Sequence, residues 1–397
     1  MLSRPLCSLF SLKSNDKGCP VFVWFCTFAV FFSGCRTAIP KISVRGMMMG
    51  EVIQTTVDSE IARYYLENYL QNQDRDEALD KKIDAFYRQY QNRTLNRDDL
   101  KKISAETSTD FAGLFWAEHL YQDKKNSALQ EKFHKNLSAL RATSPAQAVI
   151  ANAGCCMLLF VPGWDYVASG PFTGADLARP MRITAALGIE SLFIPLNPHG
   201  GVEENADLIR RVVQEQAAQE KAIILVGPSS AGPAIHLGLA QKHPQEARQA
   251  VKAWINLAGI LQGTPLVDHY QTWPRSWLLQ LALWWKGWEK DKVLSMSMKS
   301  SRARFKQLTL PKDLIVINYI GLALSGDITA LAAENYAMLR NKGPNDGLTL
   351  LPDSIAPGSS TIVALNSDHF FNEDPEIELK TIALTQVLFA LLASQSK

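Results

Sequence analysis

The chain has 397 residues, 47% of them hydrophobic, and its 41 Lys and Arg against 39 Asp and Glu leave a net charge of +2. That apolar share supports a large core and excludes wholesale disorder, and the balanced charge without a basic tract argues against a nucleic-acid-binding surface. Six Cys in a chain this long make no disulfide scaffold. No C-x-x-C pair, His/Asp/Glu cluster or cofactor motif stands out, so neither a metal nor a cofactor is expected.

Residues 1–35 read as an address. Arg4, Lys13 and Lys17 precede the uncharged run Val21–Ser33, whose 13 residues are short for a helix crossing roughly 30 Å of hydrocarbon. A basic lead, a short apolar core and then small residues form the layout of a secretory signal. Ser33-Gly34-Cys35 resembles the lipobox of bacterial lipoproteins, with Phe32 where that family usually has Leu. The resemblance implies lipidation of Cys35 and an exported, membrane-anchored protein facing the periplasm or the cell exterior. An uncleaved anchor over Gly18–Gly34 is the alternative, and it too tethers residues 36–397 outside the cytoplasm. Cys155 and Cys156, adjacent and ahead of an apolar strand, read as buried thiols rather than a disulfide.

Residues 36–56 show no periodicity and are expected to be a tether. A helical region is predicted over 57–145, where Ile61, Tyr64, Tyr65, Tyr69 and Leu70 recur at three- and four-residue spacing behind Asp58 or Ser59 as N-cap. The stripes Ile83, Phe86, Tyr87, Tyr90 and Phe111, Leu114, Phe115, His119 continue it, giving four or five amphipathic helices. His119 and His134 fall within them as ordinary residues.

From residue 146 to 397 short apolar runs alternate with helical stretches. Strands are predicted over Met157–Val161, Ser191–Leu196, Ala222–Val226, Ala253–Ala258, Leu314–Ile320 and Thr361–Leu365. Helices are predicted over 176–187, 203–219, 231–242, 328–341 and 377–394. This alternation implies an α/β fold with a mostly parallel sheet covered by helices on both faces, and chemistry at the C-terminal strand edge.

After Lys221–Val226 comes Gly227-Pro228-Ser229-Ser230-Ala231-Gly232, then a helix. Strand, tight small-residue turn and helix give G-x-S-x-G its meaning, since such a turn lifts one serine hydroxyl clear of the sheet. Counted from Gly227 that serine is Ser229; counted from Gly232 it is Ser230, and Ser229 is preferred because Gly227 ends the strand directly. A serine needs a base that is itself held by an acid. His369 follows the final strand, and Asp346 lies in the loop Gly343–Gly347, so the order Ser229, Asp346, His369 is nucleophile, acid, base. Asp327 is the rival acid, ranked lower because Asp346 is read as the more exposed. His199, after another strand, is read as shaping a turn or the pocket rim.

From Met157 onward the chain resembles the α/β-hydrolases, in particular their lipase/esterase branch. Leu159-Phe-Val-Pro-Gly-Trp164 resembles the turn that supplies half of the oxyanion hole. Asn345-Asp346-Gly347 and Asp368-His369 resemble the acid and base loops, and Gly263-Thr264-Pro265 resembles a turn common after the elbow helix. Pro162-Gly163 stands where the family has His-Gly, and Ala231 where it has Gly. The resemblance implies oxyanion donors at the backbone of Ser230 and of Trp164 or its neighbour.

Between the strand ending near Ala258 and the next at Leu314 an inserted helical lid or cap is expected at about 265–311. It holds Trp273, Trp277, Trp284, Trp285 and Trp288, five of the nine tryptophans, with Lys286 close by. The first four are the expected lid and substrate-binding residues, able to contact acyl chains or a membrane interface. The resulting expectation is a serine hydrolase of hydrophobic or lipid esters, tethered to a membrane by its N-terminal lipid or anchor. An acyltransferase or thioesterase on the same triad, or a non-catalytic binding protein of the same fold, are the alternatives.

Overall fold

The computed structural model describes residues 39–143, 148, 150–219, 221–241 and 244–395. The expected signal sequence, with Cys35, lies outside the described residues. Strands β1 (Ile42–Met48) and β2 (Glu51–Val57) pair antiparallel. They overturn the expected tether, because Val44, Met48, Ile53 and Val57 alternate inward and are buried. Met49 and Gly50, both at positive φ (51° and 84°), close the hairpin as a two-residue turn of the kind that matches strand twist.

Helices α1 (Glu60–Tyr64, continued by a wider turn to Tyr69), α2 (Glu77–Tyr90), α3 (Arg97–Glu106), α4 (Thr109–Tyr121) and α5 (Lys124–Ala142) follow. Side chains of Ser59, Asp76, Asn96, Ser108 and Asp123 accept hydrogen bonds from their first-turn amides. The helical region is not a separate layer of the molecule. Its aromatic stripes share a core with Ile320, Leu322, Val363 and Leu365 of the sheet, and Lys41–Lys397 form one unit.

The sheet comprises β3 (Cys156–Phe160), β4 (Glu190–Phe193), β5 (Ala222–Pro228), β6 (Val251–Leu257), β7 (Ile315–Leu322) and β8 (Ser360–Leu365). They lie in the order β4-β3-β5-β6-β7-β8, every neighbouring pair parallel. The helices of five or more described residues between and after them are α6 (Ala178–Ala186), α7 (Val202–Ala217), α8 (Ala231–Ala240), α9 (Gln245–Ala250), α10 (Pro265–Gln271), α11 (Arg275–Lys286), α12 (Lys290–Leu294), α13 (Met298–Phe305), α14 (Ala333–Leu339) and α15 (Ile377–Gln395).

Alternate residues of each strand feed different layers. Leu158, Phe160, Ile224, Ile255 and Ile317 face α5, α6 and α15. Met157, Leu159, Ile223, Leu225 and Trp254 face α7 and α8. The edge strand β8 is covered by α5: the buried Gln130 amide donates to Val363 O (3.0 Å) and accepts from Val363 N–H (2.8 Å), replacing a neighbouring strand. Of the two adjacent thiols, Cys156 is buried but Cys155 is exposed, in a turn just before β3 where no strand neighbour covers it; both are free.

Candidate active site

Every loop expected to carry chemistry leaves the C-terminal edge of this parallel sheet. At the end of β5, Ser229 takes φ +51°, a left-handed conformation costing a side-chain-bearing residue about 1 kcal/mol or more. It is held there by its backbone: Ser229 N–H donates to Leu257 O, and Ser229 O accepts from Gly232 and Ile260 N–H, each at 3.1 Å. Ser230, at φ −64°, is unstrained and begins α8. The small neighbours are required by space. A Cβ on Gly227 would lie 2.5 Å from the Ile235 side chain, and one on Gly232 would lie 2.7 Å from Gly259 Cα. The apex of the turn is therefore Ser229.

Asp346 and His369 meet directly. Asp346 Oδ2 is 2.8 Å from His369 Nδ1, and His369 N–H donates to Asp346 O at 2.9 Å. Asp346 Oδ1 accepts from Leu348 and Thr349 N–H at 2.9 and 2.8 Å, so both carboxylate oxygens are engaged. The exposure expected of Asp346 is not found: the residue is 0% exposed, not displayed on an open loop. Two features seal it in. Thr349 Oγ1 donates to Gly263 O, and Thr264 Oγ1 donates to Leu348 O, tying the Asp346 loop to the turn after β6. Asp327 instead accepts from Thr55 Oγ1 at 2.6 Å on β2, and it makes no hydrogen bond to His369 among the described residues.

The loop bearing His369 rests on buried polar groups. Lys380 Nζ donates to Leu365 O and pairs with Asp374, which also accepts from Ser367. Asp368 accepts from Thr329 and Phe370 N–H, both at 2.8 Å; burial pushes its carboxyl above the ordinary range. The Ser229 hydroxyl makes no hydrogen bond to His369 among the described residues. Such contacts often tighten only when substrate is bound.

The turn after β3 carries one of the amides expected as an oxyanion donor. Pro162 has no N–H, Gly163 N–H donates to Ala175 O and Asp165 N–H to Pro198 O, both at 2.9 Å, leaving Trp164 N–H uncommitted among the described residues. Ser230 N–H is likewise uncommitted there.

The cap runs through α10 to α13. Only Leu283 of α11 is buried, whereas Trp273, Trp277, Trp284 and Trp285 are 85%, 53%, 76% and 72% exposed. They face away from the protein interior. The indole that does reach the turn after β3 is Trp288. Gly287, at φ +67°, reverses the chain, and Trp288 N–H bonds to Leu283 O at 2.9 Å. That brings Trp288 against Trp164 (ring centroids 5.5 Å) and His199 (4.9 Å). The Gly287 signal at the helix end was available in the sequence; the direction in which it turns the chain was not.

No family model and no curated protein sequence matches the chain. Among solved structures, a metagenomic carboxyl esterase superposes with a TM-score of 0.53 at 18% identity, over 67% of this chain and 92% of its own. The chain has the α/β-hydrolase fold. A mature lipase from Bacillus licheniformis (20% identity, 62% and 93% coverage, TM-score 0.46) and lipase 1 from Pelosinus fermentans (14%, 61% and 98%, 0.40) are more distant in shape. Within the α/β-hydrolase fold the strained Ser229 occupies the strand-to-helix turn after β5, while the Asp346 and His369 loops follow β7 and β8.

Proposed function

We propose that the protein is a serine hydrolase of carboxylic esters, with Ser229 as nucleophile, His369 as base and Asp346 as the acid that orients it. The observation that carries this reading is the Asp346–His369 hydrogen bond at the same sheet edge as a serine held in a left-handed turn. His369 Nε2 removes the Ser229 proton as Oγ attacks the ester carbonyl. The carbonyl π electrons move onto oxygen, where the Trp164 and Ser230 amides stabilise the charge. Asp346 holds Nδ1 protonated and compensates the imidazolium. Collapse of the tetrahedral intermediate expels the alcohol, which takes the proton from His369. Water, activated by His369 in turn, releases the acid and restores Ser229.

The substrate class we infer is hydrophobic esters, including lipids, because the cap beside the site is rich in Trp and Leu. The lipobox-like Ser33-Gly34-Cys35 supports export and membrane attachment through Cys35. A fluorophosphonate probe tests the chemistry: it should label the wild type and not Ser229→Ala, and equal labelling of both would remove the reading. A p-nitrophenyl ester series, run with and without an excess alcohol acceptor, then separates hydrolysis from acyl transfer.

A further inference from the structure

A second His–Asp pair stands at the sheet edge beside the proposed oxyanion turn, and the reaction as written does not use it. Asp165 follows β3 and His199 follows β4. His199 Nε2 lies 2.8 Å from Asp165 Oδ1, and Asp165 N–H donates to Pro198 O at 2.9 Å. The two loops are thus tied through both backbone and side chain. Asp165 sits at a left-handed φ of +53°, a conformation that Asp and Asn adopt more readily than other side chains. The imidazole also packs edge-on against the Trp164 indole, with centroids 5.5 Å apart at 62°, and Trp288 closes over both rings. Side chain, neighbouring backbone and cap end therefore converge on Trp164, whose amide is uncommitted among the described residues.

We propose that His199, held by Asp165, is a positioning residue that fixes Trp164 and its amide where the oxyanion forms. The proposal rests on the triad reading above. Oxyanion donors stabilise the transition state only if set beforehand, and a shift of about 1 Å can cost about a hundredfold in rate. His199 acts through Trp164 and moves no proton of the substrate.

The test uses the full-length protein in detergent, as wild type, Ser229→Ala, His199→Ala, His199→Gln and Asp165→Asn. Each is assayed for kcat and KM on p-nitrophenyl butyrate. Each is also titrated with a trifluoromethyl ketone, which adds to the serine as a tetrahedral oxyanion, and with the corresponding methyl ketone as a ground-state ligand. For His199→Ala the expected result is a kcat lowered about ten- to hundredfold with KM within about twofold. Trifluoromethyl ketone affinity should fall by the same factor while methyl ketone affinity holds. His199→Gln can still donate to Asp165, and Asp165→Asn keeps the acceptor and tolerates the left-handed turn, so both should recover most of the rate.

An unchanged kcat in His199→Ala overturns the proposal, as does a loss carried by KM or one that leaves trifluoromethyl ketone affinity intact. A loss as deep as that of Ser229→Ala makes His199 the base and overturns it too. An active Ser229→Ala would bring down the triad reading and this inference together. An inactive Ser229→Ala beside a wild-type-like His199→Ala would bring down this inference alone.

Discussion

Two carboxylates of similar sequence context, Asp346 and Asp327, part company through their partners. One is bonded to His369 and two backbone amides, the other to Thr55 on the N-terminal hairpin. Asp346→Asn should therefore lower kcat by about 10⁴, since an amide favours the wrong imidazole tautomer. Asp327→Asn, which preserves an acceptor for Thr55, should leave kcat within about twofold of wild type. Steady-state kinetics of the two variants decide the assignment, and a reversed ranking would refute it. At the same scale, Gly232→Val should abolish soluble expression or labelling, because the added carbons have no room against Gly259 and Asn256.

Among the elements, the edge strand β8 and the cap helix α11 pose opposite problems. The hydrogen-bonding edge of β8 is satisfied from outside the sheet by Gln130. Gln130→Leu leaves the Val363 amide and carbonyl buried without partners and should destabilise the protein by about 2–4 kcal/mol, read from denaturant unfolding. Helix α11 carries exposed indoles that contribute little to folding. Replacing Trp277, Trp284 and Trp285 together by Ser should leave the unfolding free energy within about 1 kcal/mol. The same variant should raise KM for long-chain esters more than for short ones, as a substrate-length series would show; a uniform KM would remove these residues from the substrate path.

Across the whole molecule, the N-terminal region is joined to the six-stranded sheet by a buried polar seam. Asp110 accepts from Ser325 and Tyr336, and Asp58 pairs with Arg340 at 2.8 Å. Burial, reinforced by the neighbouring Asp58 carboxylate, raises Asp110 to about 7. The folded state therefore retains a proton that an unfolded Asp releases near pH 4. Its stabilising contribution is complete below about pH 4 and is lost as pH rises through about 7. Unfolding free energy should thus decline between those limits in the wild type. Asp110→Asn should flatten the decline, and an equal slope in both proteins would contradict the assignment.

The strands β3 to β8 and the covering helices α6, α7, α8 and α15 were legible in the sequence because a buried parallel strand leaves an uninterrupted apolar run, and a covering helix leaves a 3.6-residue stripe; the short α9 was not. The tight turn at Ser229 was legible for a similar reason: small residues cluster where strand and helix must approach. The hairpin β1–β2 was hidden, since its alternation is short and broken by the Met run at its tip. Distance in the chain hid the rest. The engagement of Asp346 rather than Asp327, the meeting of Asp165, His199, Trp164 and Trp288, and the outward face of α11 are set by which loops the sheet brings side by side. Local sequence determines the conformation of each segment, but a hydrogen bond between residues far apart in the chain exists only once packing has fixed both ends, and that was decided by the tertiary structure.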